Sequence, residues 1–369
     1  MNRWNIDIDK RKTRPPVKQK RIIDDLSNRI LSGEYAPGAT LPTRLDLEVH
    51  YKVSPITLQR AMDQLANLGM VESNSRGTVV ASRLSQHYSY GLVFPSRDTK
   101  EFPWGFFFHA LLKAAKEMEK TMNIEFPVFY CGEHAGVENR DYRMLEYMVE
   151  ARSFAGLFLL NPYFLKDTPV LKQKDIPLVT HTPCNLPEAP ALVFDYACYA
   201  QQAMSWFREQ GCRRPAMITS GQVEWDTGAH HHFQLAAETN GLELRSEWVQ
   251  SVPLYAPHCA RNAAHLLFSN PNDRPDALLI SDDTLVEAAG EGLLAAGVRS
   301  PQDVTVIALC NFPCLPKSPI PLSFLGFDSR EILEQLIDVV KRCRAGTIEV
   351  SEQTLISPHF EALGEDKDL

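Results

Sequence analysis

The chain has 369 residues, more than one core usually organises, and 44% of them are hydrophobic, enough to bury more than one. A formal net charge of −8 excludes a uniformly basic nucleic-acid coat, but the charge is uneven. Residues 1–85 hold 14 Lys and Arg against 9 Asp and Glu, net +5; the remainder holds 24 against 37, net −13. A small cationic module joined to a larger anionic one is the expected arrangement.

The N-terminus, MNRWNIDIDKRKTRPPVKQKR, lacks the apolar stretch of a secretory leader, and no run of about 18 uncharged apolar residues occurs. The expectation is a soluble cytoplasmic protein with no membrane partner. Cys131, Cys184, Cys198, Cys212, Cys259, Cys310, Cys314 and Cys343 form no CxxC pair, so buried, reduced, apolar roles are expected, with no metal and no cofactor.

In chain order, residues 1–16 are polar and basic, with Lys10, Arg11, Lys12 and Arg14 clustered before Pro15-Pro16, and read as a disordered arm. Ile22, Ile23, Leu26, Ile30 and Leu31 share one helical face, and Gly33 ends that helix. Thr43 then caps a second helix, with Asp46 three residues on and Leu47 and Tyr51 four apart. A third begins at once: Ser54 accepts the orphan amides, and Pro55 suits the first helical position because its missing N–H costs nothing there. Leu58, Ala61, Met62, Leu65 and Leu68 make its buried face, while Thr57, Gln59, Arg60 and Asp63 face away. Two short helices joined by a three-residue turn form a helix-turn-helix, or an ordinary helical hairpin. The residues after Gly69 favour the former. Met70–Glu72 and Thr78–Ala81 read as strands around the turn Asn74-Ser75-Arg76-Gly77, a two-stranded wing with an arginine at its tip.

The run ILSGEYAPGATLPT…YKVSPITLQRAMDQLANLGMVES…RGTVV closely resembles the GntR-type winged-helix DNA-binding domain, over about residues 17–83. The matching features are Gly33/Tyr35/Pro37-Gly38, Leu41-Pro42, Val53-Ser54, Thr57, Ala61, Leu65, Gly69 and Arg76-Gly77-Thr78. The resemblance implies a double-stranded DNA operator as partner. Candidate DNA contacts are Arg44, Ser54, Thr57, Gln59 and Arg60, with Pro55 and Ile56 against thymine methyls and Arg76, Gly77 and Thr78 on the wing. Pro55 and Gln59 stand where the family often has arginines, and Leu45, beside Arg44, stands where another is common. The operator cannot be copied from the family pattern.

Residues 84–89 read as a linker. From Tyr90 the pattern changes to short apolar runs, expected as strands: 91–94, 125–129, 156–160, 177–180, 191–194, 215–219, 277–280 and 304–308. Amphipathic helices fall between them at 107–122, 141–150, 199–210, 229–240, 259–268 and 285–296. Alternation of this kind makes parallel sheets covered on both faces, here two doubly wound α/β lobes, one before and one after about Leu192. Ligands bind such sheets beyond the carboxyl ends of strands.

The phrases YGLVFPSRDTKEFPWGFFFHALLKAAKEM, AGLFLLNP, IPLVTHTP, ALVFDYACYAQQAMSWFREQGCRRPAMITSG and ALLISDDTLVEAAGEGLLAAGVRSPQDVTVIAL resemble the periplasmic-binding-protein-like effector domain of lactose-repressor-type regulators, over about 90–362. Residues 363–369 are a tail. Strand-end positions give the candidate effector residues: Ser96, with Phe102, Trp104 and Phe107 as ring-stacking surface, then Asn161 and His181. The resemblance adds Asp195 as a hinge or pocket acid and Asp282, beside Asp283, as a ligand-binding position. Two departures stand out. The family's arginine after the Ile218 strand falls on Ala229, near Asp226, His230, His231 and His232, and its acid after the Ile307 strand falls on Cys310 or Asn311.

The whole chain thus resembles sugar-responsive transcriptional regulators, expected to be homodimeric repressors with a sugar-like effector. Two alternatives are a ligand-independent dimeric DNA binder with a degenerate effector domain, and an enzyme. The latter is disfavoured because no GxSxG, HExxH, P-loop or GxGxxG is present.

Overall fold

A computed structural model describes residues 17–31, 34–36, 38–67, 69–74, 77–81, 88–95, 106–131, 139–160, 168–173, 176–181, 189–220, 229–253, 255–348 and 352–363. The expected arm 1–16, most of the linker, Gly33 and Cys184 lie outside these residues. Two compact units result, Met1–Ser89 with Arg143–Ala155, and Tyr90–Tyr142 with Gly156–Leu369.

The first unit opens with α1 (Val17–Leu31), α2 (Arg44–Tyr51) and α3 (Pro55–Asn67), followed by β1 (Val71–Asn74) and β2 (Gly77–Val80). Thr43 and Asp46 form a capping box at α2, Oγ1 accepting from the Asp46 amide at 3.3 Å and Oδ2 from the Thr43 amide at 3.2 Å. Lys52 turns the chain in the left-handed region, φ 52°, and Ser54 Oγ then accepts the Thr57 amide at 3.3 Å to start α3. Leu26, Leu58, Ala61, Leu65 and Val80 are all buried in the core of this unit. Each large aliphatic there contributes about 1.5–3 kcal/mol. The Tyr51 hydroxyl donates to Asp25 Oδ2 at 2.5 Å, tying α2 to α1.

The wing is longer and wider than its sequence pattern suggests. β1 and β2 pair antiparallel as far as Asn74 opposite Gly77, inside the stretch read as turn. The Gly38–Leu41 segment adds a further edge. Gly38 N–H donates to Val80 O at 3.0 Å, Val80 N–H to Ala39 O at 2.8 Å, and Leu41 N–H to Thr78 O at 2.9 Å. Gly38, at φ 79°, lets the chain swing onto that edge.

The second unit contains two six-stranded sheets. From Tyr90 the elements in chain order are β3 (Tyr90–Phe94), α4 (Phe106–Thr121), β4 (Val128–Tyr130), α5 (Arg140–Glu150), β5 (Gly156–Leu159), α6 (Pro169–Lys172), β6 (Leu178–Thr180), β7 (Ala191–Phe194), α7 (Tyr196–Glu209), β8 (Pro215–Ser220) and α8 (Ala229–Thr239). Then come β9 (Val249–Val252), α9 (Cys259–Phe268), β10 (Ala277–Ile280), α10 (Val286–Ala295), β11 (Thr305–Phe312), β12 (Ser323–Asp328), α11 (Ser329–Ala345), β13 (Gln353–Ile356) and β14 (His359–Glu361). The first sheet runs β13-β7-β6-β5-β3-β4, wholly parallel; the second runs β14-β12-β11-β10-β8-β9, parallel except for β14. Full burial of β3, β5 and β10 explains why they read as unbroken apolar runs rather than alternating ones.

Three expectations need correction. The lobes are not consecutive halves of the sequence: after β12 the chain returns to pack α11 on the first sheet and adds β13 there, then adds β14 to the second. The strand expected at 125–129 begins only at Val128, because Pro127 has no N–H; its carbonyl still accepts from Leu92 at 2.9 Å. The cysteines are also less hidden than expected, since Cys198, Cys259, Cys314 and Cys343 are only half-buried.

In the second lobe α9 and α10 meet backbone to backbone. A Cβ added at Gly292 would lie 2.2 Å from the Arg261 carbonyl oxygen. Gly292→Ala is therefore expected to lower stability by about 1–3 kcal/mol, measured by urea unfolding. An unchanged midpoint would contradict this close approach.

Candidate functional site

Two constellations emerge, one in each unit. At the front of α3, Pro55 and Ile56 are exposed, Ile56 at 66% although it is aliphatic, and Arg60 points to solvent. Ser54 Oγ and Thr57 Oγ1 lie 2.9 Å apart within the cap. Arg44, in the first turn of α2, donates to Gln59 Oε1, and Gln59 Nε2 donates to Asp63 Oδ1 at 2.5 Å. Gly77 is exposed at φ 117°, and Thr78 is half-buried with its carbonyl tied to Leu41. Arg76 lies outside the described residues. The result is a largely solvent-facing helix front, polar except for Pro55 and Ile56, set on a helix whose other face is buried.

The second constellation lies where the carboxyl ends of the two sheets meet. Phe194 ends β7 of the first lobe and Phe327 lies near the end of β12 of the second; their rings stack at 4.0 Å and 10°. Tyr196 and Tyr199, on the first turn of α7, pack on Phe327 at 5.9 and 6.0 Å. Phe107 stacks on His181 at 4.7 Å, and both present edges to Phe194 at 5.4 and 4.6 Å. Sequence reading located Phe107 and His181 but not the ring run that continues from them. The spacing Phe194, Tyr196, Tyr199 was its visible trace.

Polar groups border these rings. Asp283, in a short turn after β10, is only 4% exposed. Its Oδ2 accepts from Asn311 Nδ2 at 2.6 Å. Burial, then the nearby Asp282, push the Asp283 carboxyl up to about 7 against the opposing pull of Asn311 and of the Asp283 and Phe106 backbone amides. His181 goes the other way. Burial lowers it to about 4 against the weaker opposing pull of the Leu192 backbone, so it stands neutral at physiological pH.

Other candidates are tied up locally. Asp195 caps α7 by accepting the Cys198 amide at 2.9 Å, and Asp282 Oδ1 accepts the Thr284 amide at 2.9 Å and its hydroxyl at 2.5 Å. The buried Tyr199 hydroxyl and His181 Nδ1 have no hydrogen-bond partner among the described residues. Ser96, Phe102, Trp104, Asn161 and Asp226 lie outside the described residues, as does the side chain of His230, a residue of the first turn of α8. Among the described residues no cluster of three His, Cys, Asp or Glu is placed to hold a metal.

Asp283 gives a pH signature. An unfolded aspartate ionises near about 3.9, whereas the folded one holds its proton to about 7. Between those values the folded state binds more protons, so the contribution of this group to stability falls as pH rises. Urea unfolding is expected to show a smaller loss of stability between pH 5 and pH 8 in Asp283→Asn than in the parent; equal losses would contradict the assignment.

Residues 18–80 match the family described as bacterial regulatory proteins, gntR family, and residues 204–361 match the periplasmic binding protein-like domain. The uncharacterized HTH-type transcriptional regulator YhcF of Bacillus subtilis (strain 168) is 33% identical over 64 residues, 17% of this chain; the match spans about half, 53%, of that relative. A regulatory protein of LacI family from Chloroflexus aggregans superposes with TM-score 0.57 at 16% identity, over 77% of this chain and 99% of that one. The transcriptional regulator CelR in its cellobiose complex gives 0.56 at 18%, over 85% and 92%. The Cra transcriptional dual regulator from Pseudomonas putida, in complex with fructose 1-phosphate, gives 0.51 at 12%, over 74% and 98%. Among the described residues no helix is long and apolar enough to cross a membrane. The chain joins a gntR-family winged-helix region to a two-lobed periplasmic-binding-protein-like body of the fold seen in LacI-family regulators.

Proposed function

We propose that this protein is a cytoplasmic, homodimeric transcriptional regulator, a repressor, that binds a pseudo-palindromic DNA operator and responds to a sugar or sugar derivative. The working boundaries are a basic arm at 1–16, a DNA-binding head at 17–83, a linker at 84–89, an effector and dimerisation body at 90–362 and a tail at 363–369. The observation that carries this reading is the exposed polar front of α3 in the same chain as two lobes whose strand ends converge on aromatic rings and buried polar atoms. Rings offer apolar faces to a sugar, and the orphaned Tyr199 hydroxyl and His181 Nδ1 are suited to its hydroxyls. The cellobiose and fructose 1-phosphate bound by two proteins of similar fold support that ligand class. A ligand that favours one arrangement of the lobes would shift DNA affinity by its differential binding. Arg76, Ser96, Phe102, Trp104, Asn161, Asp226 and His230 remain candidate contacts on the sequence argument.

A second reading, a ligand-blind dimeric DNA binder, is favoured by one observation: the Phe194–Phe327 stack already fills the place where the lobes meet, while Asp195 and Asp282 are engaged in local caps.

Thermal-shift titration of the full chain against a panel of neutral and phosphorylated sugars separates the readings. A sensor shows a saturable rise, worth about 2.7 kcal/mol at a hundredfold excess over Kd. No rise across the panel would leave the ligand-blind reading. On the head, Arg60→Ala is expected to weaken binding to specific and random duplexes alike and to reduce the salt slope by about one. An unchanged slope in a binding titration would refute a phosphate contact by Arg60.

A further inference from the structure

The bonds across Arg44, Gln59 and Asp63 link α2 to α3 through one uncharged amide. Gln59 and Asp63 are four residues apart and so share a face of α3, whereas Arg44 comes from the first turn of α2. A glutamine amide has two distinct ends. Here the oxygen faces a guanidinium, which only donates, and the nitrogen faces a carboxylate, which only accepts. Turning the amide over would set two donors against each other on one side and two acceptors on the other. Both charged partners therefore select the same orientation, so the amide order is determined by chemistry rather than by local chance.

Each end of the amide keeps capacity beyond the bond it already makes, a second lone pair on Oε1 and a second N–H on Nε2. With the orientation held, these present an acceptor and a donor in a fixed order from the fifth residue of α3. Adenine offers the complementary pair in the major groove, a donor at N6 and an acceptor at N7, and glutamine is a side chain that meets both. In water an exposed network of this kind holds its members weakly. Against DNA, where water is excluded, a misoriented amide would leave polar groups unpaired, and the lock then bears directly on selectivity.

We propose that Asp63 is a specificity-positioning residue: with Arg44 it locks the Gln59 amide in the orientation that selects adenine at one position of each operator half-site. Asp63 itself touches no base. Its carboxylate would repel phosphate, so its presence beside a nucleic-acid face is explained by what it does to Gln59. The proposal rests on the DNA-binding reading of the head.

The test is position-resolved. Full-length parent, Asp63→Asn and Gln59→Ala are each run through selection from randomised duplexes, followed by competition binding on duplexes differing at one base pair. The parent is expected to select a defined site and to prefer adenine by about tenfold at one position per half-site. Asp63→Asn keeps the side-chain shape but no longer selects the amide order, leaving Arg44 as the one charged partner that does, so the preference should fall to about threefold or less at that position, with the other positions unchanged. Gln59→Ala should abolish the same preference, and the double variant should add nothing to it. A merely structural or electrostatic role for Asp63 would change affinity equally across all sequences and leave the position preferences intact, which would overturn the proposal. So would a parent that selects no adenine at a Gln59-dependent position. A parent that selects no DNA site at all would overturn the reading of the head as well, and thereby distinguish the two failures.

Discussion

The two lobes of the body meet at a stacked ring pair beside a buried carboxyl. Phe194 and Phe327 stack across the boundary, while Asp283 accepts from Asn311 on its own lobe and is stabilised in its charged form by the Phe106 backbone of the other. A buried carboxyl without partners would be costly, and with them it is held near the point of ionisation. The junction is thus specified by polar complementarity as well as by ring packing. Any molecule that lodges among those strand ends must compete with these contacts or exploit the polar atoms they leave unpaired.

The chain's route makes that junction a single object. Because α11 and β13, which follow β12 of the second lobe in sequence, belong to the first lobe, and β14 then joins the second, each lobe contains segments distant in sequence. Phe194 precedes one crossover and Phe327 another, so the stacked pair sits on two of the connecting strands at once.

Local rules made much of this visible beforehand. The capping box at Thr43, Pro55 at the head of α3 and the apolar spacing of Leu58, Ala61 and Leu65 belong to short-range chemistry, and the buried parallel strands read as continuous apolar runs. What escaped was non-local. β12, with glycine inside Ser323–Asp328, has no periodic signature, and the short β13 and β14 acquire strand character only by joining sheets formed far away. The same holds for the sites. Phe107 and His181 were reachable from strand-end positions and Asp282 and Asn311 from the family resemblance, but the pairing of Asp283 with Asn311 spans 28 residues and depends on two neighbouring strands. Gln59 looked like a plain base reader because its partner Arg44 is 15 residues away on another helix.

The proposed function requires that the winged head and the two-lobed body be energetically coupled through ligand occupancy. Linkage makes this measurable from either side, since a ligand that changes DNA affinity by some factor must have its own affinity changed by DNA by the same factor. The direct measurement is fluorescence anisotropy of full-length protein on its selected operator duplex, titrated with the sugar that raises its melting temperature. The expected result is a saturable change of about fivefold or more in DNA Kd, matched by the ligand's Kd with and without operator. An operator affinity that stays constant while the ligand saturates the body would contradict the account.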